Sequence, residues 1–268
     1  MARFKYSMTL AKLRRFKRER RGEGEGDLYR PWLTVSDVPS RGRSHRVGCL
    51  KTGGRTMHFL SDHEYAAFLE LWWDESVDDI REQYPLNLRR TLTIAGQMEV
   101  SHPVDSHTGI LLTQTTDILA TRGTGDDRSF TAWAVKDSEE LTDERAMDKL
   151  EIERRYWEEL GVSWELVVND GLNSFRAENL VWLLEFENAM RKNTRVQADC
   201  VSRVLAAVRE GRSEVAGTAC QRLDIKWGTE PGAHVAALRF LFLFRLLRGN
   251  LEVNSLSRQS LTSFEVAS

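Results

Sequence analysis

Residues 110–136 constrain this chain most. The run TTDILATR (115–122) reads as a strand, GTGDD as a turn carrying two glycines and two aspartates, and RSFTAWAVK (128–136) as the return strand. The region from Ile110 to Lys136 thus predicts a β-meander, and helical patterns flank it on both sides. On the N-terminal side, SDHEYAAFLELWWD (61–74) repeats Tyr65, Phe68, Leu69 and Trp72 at helical spacing, with Ser61 and Glu64 in a capping-box pattern. SVDDIREQYPL follows as a strand ended by Pro85, and LRRTLTIAGQM as a short helix of ambiguous period. On the C-terminal side, DERAMDKLEIERRYWEELG predicts a long helix closed by Gly161, and SWELVVND another strand. Helix, strands, helix, strand is the order of a mixed α/β core.

Beyond about residue 190 the pattern changes. TRVQADCVSRVLAAVREG is amphipathic, with Val196, Cys200, Val201, Val204, Leu205 and Val208 on one face. EVAGTACQRLDIKW and a Pro-started helix, PGAHVAALRFLFLFRLLRG, come next, then a β-like NLEVNSL and a loose tail, RQSLTSFEVAS. Before them, NSFRAENLVWLLEFE opens a helix with Asn173 as its cap. Three short helices and a hairpin-like end predict a small winged-helix-like domain. The expected division is a basic flexible tail over 1–26, a catalytic domain over 27–172 and a C-terminal domain for partner and DNA binding over 173–268.

The net charge of the 268 residues is −2, so any affinity for nucleic acid must be local. It is: ARFKYSMTLAKLRRFKRERRG and PSRGRSHRVGCLKTGGR are both dense in Lys and Arg. Three unpaired cysteines, no signal-like apolar stretch and no run long enough to span a bilayer predict a soluble, cytoplasmic protein. There is no GxxxxGK[ST] phosphate loop, and GEGEG follows no strand, which excludes the common nucleotide fingerprints. His58, His63, His102 and His107 are spaced for no standard zinc site. Trp72 and Trp73 read as helix packing rather than as base-stacking residues.

The apolar strand FTAWAVK ends on a charge. Alternation puts Ala134 and Lys136 on one face, and Thr131, Trp133 and Val135 on the other. Asp117 lies on the preceding strand, and Glu64 can project onto the same edge from the first helix. Two carboxylates can hold a divalent metal that activates water, while a lysine orients that water or offsets the developing charge. This is the logic of the PD-(D/E)xK nuclease core. Each member has a plainer reading: Glu64 as the capping-box partner of Ser61, Asp117 as a surface ion-pair member, Lys136 as a solvated strand end.

Longer words narrow the choice. YRPWLTVSDVPSRGRSHRV, HFLSDHEYAAFLELWWDESVDDIREQYPL, the Asp117 strand with its VK ending, DERAMDKLEIERRYWEELGVSWELV and AENLVWLLEF resemble the TnsA family, endonuclease subunits of heteromeric cut-and-paste transposases, over most of residues 20–187. The resemblance implies a restriction-endonuclease-like mixed-sheet core followed by a small, mostly helical, winged-helix-like domain. It implies a Mg²⁺-dependent cut (Mn²⁺ substituting) of the 5′ strand at transposon ends. It implies as partners transposon-end DNA, a DDE-type, TnsB-like transposase that cuts the 3′ strand, and an AAA+, TnsC-like ATPase regulator, with no membrane. Carried over, Glu64 and Asp117 hold metal, Val135 lends its backbone carbonyl, and Lys136 serves the attacking water. Arg43, His45 and Arg46 are the expected phosphate contacts.

One position departs from the pattern. Where the family has a glutamine, this chain has Ala134, which has no side-chain oxygen. Water, or Glu153 from the following helix, is the candidate replacement, although Glu153 reads more simply as a surface salt-bridge residue. Two other classes stay open: an assembly subunit with weakened catalysis that binds transposon ends and links transposase to ATPase, and a free-standing restriction or repair nuclease.

Overall fold

The computed structural model describes residues 5–39 and 42–267. The start of the first basic run (residues 1–4), Ser40 and Arg41 of the basic loop, and Ser268 lie outside the described residues. The chain divides into two compact units, Met1–Leu172 and Asn173–Ser268.

In the first unit, four strands form one mixed sheet. β3 (Val77–Pro85), β4 (Thr115–Arg122) and β5 (Ser129–Lys136) are antiparallel neighbours, and β6 (Ser163–Val168) joins β5 in parallel. β1 (His45–Val47) and β2 (Met57–Phe59) make a separate two-stranded ladder. The β4–β5 turn needs Gly123: its φ is +74°, and a Cβ there would lie 2.5 Å from the Asp127 carbonyl oxygen.

α2 (Asp62–Trp73) is buried nearly all round, through Tyr65, Ala66, Ala67, Phe68, Leu69, Leu71 and Trp72. That burial holds its first turn rigidly. α3 (Leu88–Gln97) and α4 (Glu144–Glu159) share an apolar cluster in which Ile94 and Ala95 meet Leu119, Ala132, Ile152, Tyr156 and Trp157. α4 stops at Leu160, and Gly161 follows at φ +66° as expected.

The basic segment expected as a flexible tail contains α1 (Leu10–Arg18), capped by the Thr9 hydroxyl, which accepts from the Lys12 N–H. Its charge density conceals an apolar stripe. Phe16 is fully buried, edge-on to Trp32 at 5.1 Å, in a cluster with Met8 and Leu13. Asp37 anchors the cations, with Arg21 at 2.6 Å and Arg15 at 3.2 Å. The segment after α1 covers the open edge of β3: the Tyr29 hydroxyl donates to the Glu82 carbonyl and the Trp32 N–H to that of Gln83.

The second unit holds α5 (Phe175–Arg191), α6 (Ala198–Arg209), α7 (Ala216–Trp227), α8 (Ala233–Leu243) and a short ladder of β7 (Leu247–Arg248) with β8 (Glu265–Val266). Several expectations change here. Ser174, not Asn173, caps α5 by accepting from the Ala177 N–H. α8 begins after Pro231 and ends well before Arg248. Its first turn is capped from α7, where the Asp224 carboxylate accepts from the N–H groups of Gly232 and His234. NLEVNSL is not a strand, because the buried Asn179 amide takes the carbonyls of Leu251 and Val253 and accepts from the Leu256 N–H. The tail is not loose: Leu261 and Phe264 are buried, Phe264 packs on Phe242 at 4.9 Å, and Glu265–Val266 supply the second strand of the ladder. Among the described residues no helix is long and apolar enough to cross a membrane.

Candidate active site

Glu64, Asp117, Val135 and Lys136 are brought together by α2, β4 and β5. Asp117 Oδ2 accepts from the Val135 N–H at 2.8 Å and from Lys136 Nζ at 3.3 Å. Lys136 Nζ also donates to the Val135 carbonyl at 2.8 Å, and Glu140 lies 3.8 Å away as a second, exposed anchor. The ammonium therefore bridges two of the groups expected to hold metal. Asp117, above all, raises the Lys136 pKa well beyond the ordinary lysine value, against the opposing pull of burial.

Glu64 makes the capping contact and also lies beside Asp117. The Ser61 hydroxyl accepts from the Glu64 N–H at 3.1 Å, as a cap should. The return bond is displaced by one residue: Glu64 Oε2 accepts from the Leu60 N–H at 2.9 Å. The same carboxyl is close enough to Asp117 to feel its charge. Burial first, and Asp117 second, push it up to about 8. Among the described residues, Glu64 Oε1 and Asp117 Oδ1 accept no protein hydrogen bond. A buried carboxyl (Glu64) beside a partly exposed one (Asp117, 14% exposed), each with an unmatched oxygen, suits a hard divalent cation that takes oxygen ligands and keeps water. Among the described residues no three His, Cys, Asp or Glu side chains are arranged to hold a metal, so the donor set needs the backbone carbonyl or water to complete it.

Glu153 is not a surface residue. It is buried, accepts from the Thr116 hydroxyl at 2.8 Å, and is raised to about 8 by burial and by the charge of Asp117. The Trp157 indole N–H donates to the same hydroxyl, so Glu153 is held in place beside the site rather than able to swing in. The surface pairs of α4 belong to Glu151, Arg154, Arg155 and Glu158. Ala134 is 0% exposed, so its methyl group fills an enclosed position.

Gln83 is a site residue that sequence periodicity misses. It is buried on β3 at φ +48°, its Nε2 approaches Glu64 Oε2 at 3.4 Å, and its Oε1 accepts from the Thr115 hydroxyl at 3.1 Å. The one visible sign is its position two residues before Pro85 in the strand that precedes α3.

The basic loop is tied to the helix that carries Glu64. Asp62, the first residue of α2, takes Arg43 at 2.7 Å and His45 Nε2 at 2.6 Å. Those contacts, with the neighbouring charge of Arg43, hold the Asp62 carboxyl below its ordinary range despite partial burial. His45 also stacks on Tyr65 at 4.4 Å. Arg46 is exposed on β1, opposite His58. His63 reaches the other way, bonding Asn169 at the end of β6.

Comparison with known proteins identifies the family. Residues 74–169 match the family described as TnsA-like endonuclease N terminal, a span that contains Asp117, Val135 and Lys136. The transposon Tn7 transposition protein TnsA of Escherichia coli is 37% identical over 254 residues, covering 94% of this chain and 90% of that protein. The chain belongs to the TnsA family. Its mixed sheet and flanking helices are the restriction-endonuclease-like TnsA fold, and the family's domain is that of an endonuclease. Ala134 lies within the stretch that the TnsA-like domain matches.

Proposed function

We propose that this chain is the Mg²⁺-dependent endonuclease subunit of a heteromeric transposase and cuts the 5′ strand at transposon ends. The observation that carries the reading is the junction of Glu64, Asp117 and Lys136 on three elements that the fold holds rigidly. A DDE-type, TnsB-like transposase would cut the 3′ strand, and a AAA+, TnsC-like ATPase would couple the pair to a target. A relative named for Tn7 transposition supports that setting.

The reaction is hydrolysis of a phosphodiester, leaving a 5′-phosphate and a 3′-hydroxyl. Glu64, Asp117 and the Val135 carbonyl would hold Mg²⁺, or Mn²⁺ in its place, which supplies an acidified water and a counter-charge for the phosphate. Lys136 is kept cationic by Asp117, so it donates hydrogen bonds and does not serve as the base. Its role is to fix the attacking water and to offset charge developing on the phosphate oxygens. Glu64 is anchored through Oε2, which orients its remaining oxygen. Arg43, His45 and Arg46 would meet the DNA backbone.

The test is strand-resolved cleavage of labelled transposon-end DNA with the partner transposase, the ATPase and Mg²⁺. A 5′ cut made by wild type and lost in Asp117→Ala is the expected result. Ala134 favours one other reading, in which the chain is an assembly subunit with weakened catalysis. Intact 3′ cutting with no 5′ cut by wild type would select it.

A further inference from the structure

We propose that Gln83 is a positioning residue for the cation site: its amide fixes the Glu64 carboxylate and ties α2 to the strand that carries Asp117. The inference rests on the metal-site reading given above.

The backbone is the first argument. Gln83 is 2% exposed and sits at φ +48°, a conformation that a glycine adopts without steric cost and that a side chain makes unfavourable. Strained residues of this kind persist where their surroundings over-determine them, often at functional sites. Here the Trp32 N–H takes the Gln83 carbonyl and the Tyr29 hydroxyl takes that of Glu82. The kink also breaks the strand's alternation. The guanidinium of Arg81 lies over the rings of both Tyr84 (5.4 Å) and Phe130 (5.5 Å), although residues three apart face opposite sides of a regular strand. With the alternation broken, the Gln83 amide reaches Glu64.

The amide is the second argument. Both of its ends are engaged, Nε2 with Glu64 Oε2 and Oε1 with the Thr115 hydroxyl. Thr115 lies two residues before Asp117 on β4. The opposite amide orientation would set Oε1 against a carboxylate oxygen, so the Glu64 carboxylate fixes Nε2 as the donating end and the Thr115 hydroxyl donates to Oε1. Together with the Leu60 N–H, the amide occupies Oε2 and leaves Oε1 for a cation. Ala134 contributes no side-chain oxygen or nitrogen on β5, so the amide beside the carboxylates comes from β3. Outer partners that orient a metal ligand typically change metal affinity 10- to 100-fold when removed.

The test is Mn²⁺ binding to the full chain, followed by the loss of the free-ion EPR signal, alongside thermal unfolding. Gln83→Gly is the decisive variant, because it relieves the backbone and deletes the amide. It should keep the wild-type unfolding midpoint within about 2–3 °C while weakening Mn²⁺ binding about tenfold or more. Gln83→Leu should weaken binding similarly, and raising Mn²⁺ should restore its 5′-strand cleavage. Mn²⁺ binding by Gln83→Gly within about twofold of wild type, with Asp117→Ala losing it, overturns this inference and leaves the metal-site reading intact. Absence of Mn²⁺ binding by wild type, or equal binding by Asp117→Ala, overturns both.

Discussion

Lys136 Nζ lies 3.3 Å from Asp117 Oδ2, and that one contact couples the charge of the strand end to the carboxylate expected to hold metal. The ammonium and a cation at the expected site would share Asp117 and the Val135 carbonyl. Lys136→Met should therefore lower 5′-strand cleavage about 10²- to 10³-fold, the usual cost of removing a donor that stabilises transition-state charge. Cation binding should be unchanged or tighter, because Asp117 and the Val135 carbonyl are released. Single-turnover cleavage and Mn²⁺ binding on the same variant separate the two effects. Loss of binding in parallel with cleavage would make Lys136 a structural brace.

The buried glutamates set a pH dependence of known sign. Glu64 and Glu153 are both raised to about 8 from an ordinary 4.5. A carboxyl raised in the folded state binds more protons there than in the unfolded chain. Its stabilising contribution is complete below the unfolded pKa and is lost as pH rises through the folded one. Asp37, Asp62 and Asp74 are lowered instead, so their contribution fails only in stronger acid. Without divalent cations, the glutamate contribution to the unfolding midpoint should fall between about pH 5 and about pH 8, against the opposite contribution of His58 and His102, whose pKa values burial lowers. Glu153→Gln should remove part of the falling contribution. A difference between wild type and Glu153→Gln that does not change over the interval would show that the carboxyl is not desolvated.

The elements that build the site were legible because periodicity reports local structure. Ser61 and Gly161 mark helix ends, and the β4–β5 turn is written in its glycines. What escaped depends on partners distant in sequence. The apolar stripe of α1 is masked by its cations until Trp32 and Asp37 are seen beside it. NLEVNSL looks β-like until Asn179 is seen to hold Leu251, Val253 and Leu256, and the last residues look loose until Phe264 is seen on Phe242 and β8 beside β7. Glu153 sits among surface charges in EIERRYW, and only the hydroxyl of Thr116 reveals that it points inward. Beyond its place two residues before Pro85, nothing in the sequence marks Gln83 as a residue with positive φ.

Asp62 restrains the cations of the basic loop. Arg43 is still 70% exposed while paired to it, so a phosphate can take over its guanidinium at little cost. Arg43→Ala and Arg46→Ala should each weaken binding to transposon-end DNA and reduce the slope of log affinity against log salt by about one. Asp62→Asn should strengthen binding, since two cationic or donor side chains lose their anionic partner. Salt titrations of DNA binding by fluorescence anisotropy decide this. Unchanged slopes for both arginine variants would remove the loop from the DNA surface.

Ala134 pairs with Leu166 in the parallel β5–β6 ladder and is 0% exposed. A glutamine there adds an amide to an enclosed position. Overpacking costs about 1–3 kcal/mol, and an unmatched buried amide about as much again. Ala134→Gln should therefore lower the unfolding midpoint and leave 5′-strand cleavage no faster than wild type. The expected cation site would then use water in place of a β5 ligand, with the Gln83 amide orienting Glu64. A variant that keeps its stability and cleaves faster would mean that there is room beside Ala134 and that the alanine limits the metal. A gain from no cleavage at all would favour the assembly-subunit reading, and the absence of a gain decides between neither reading.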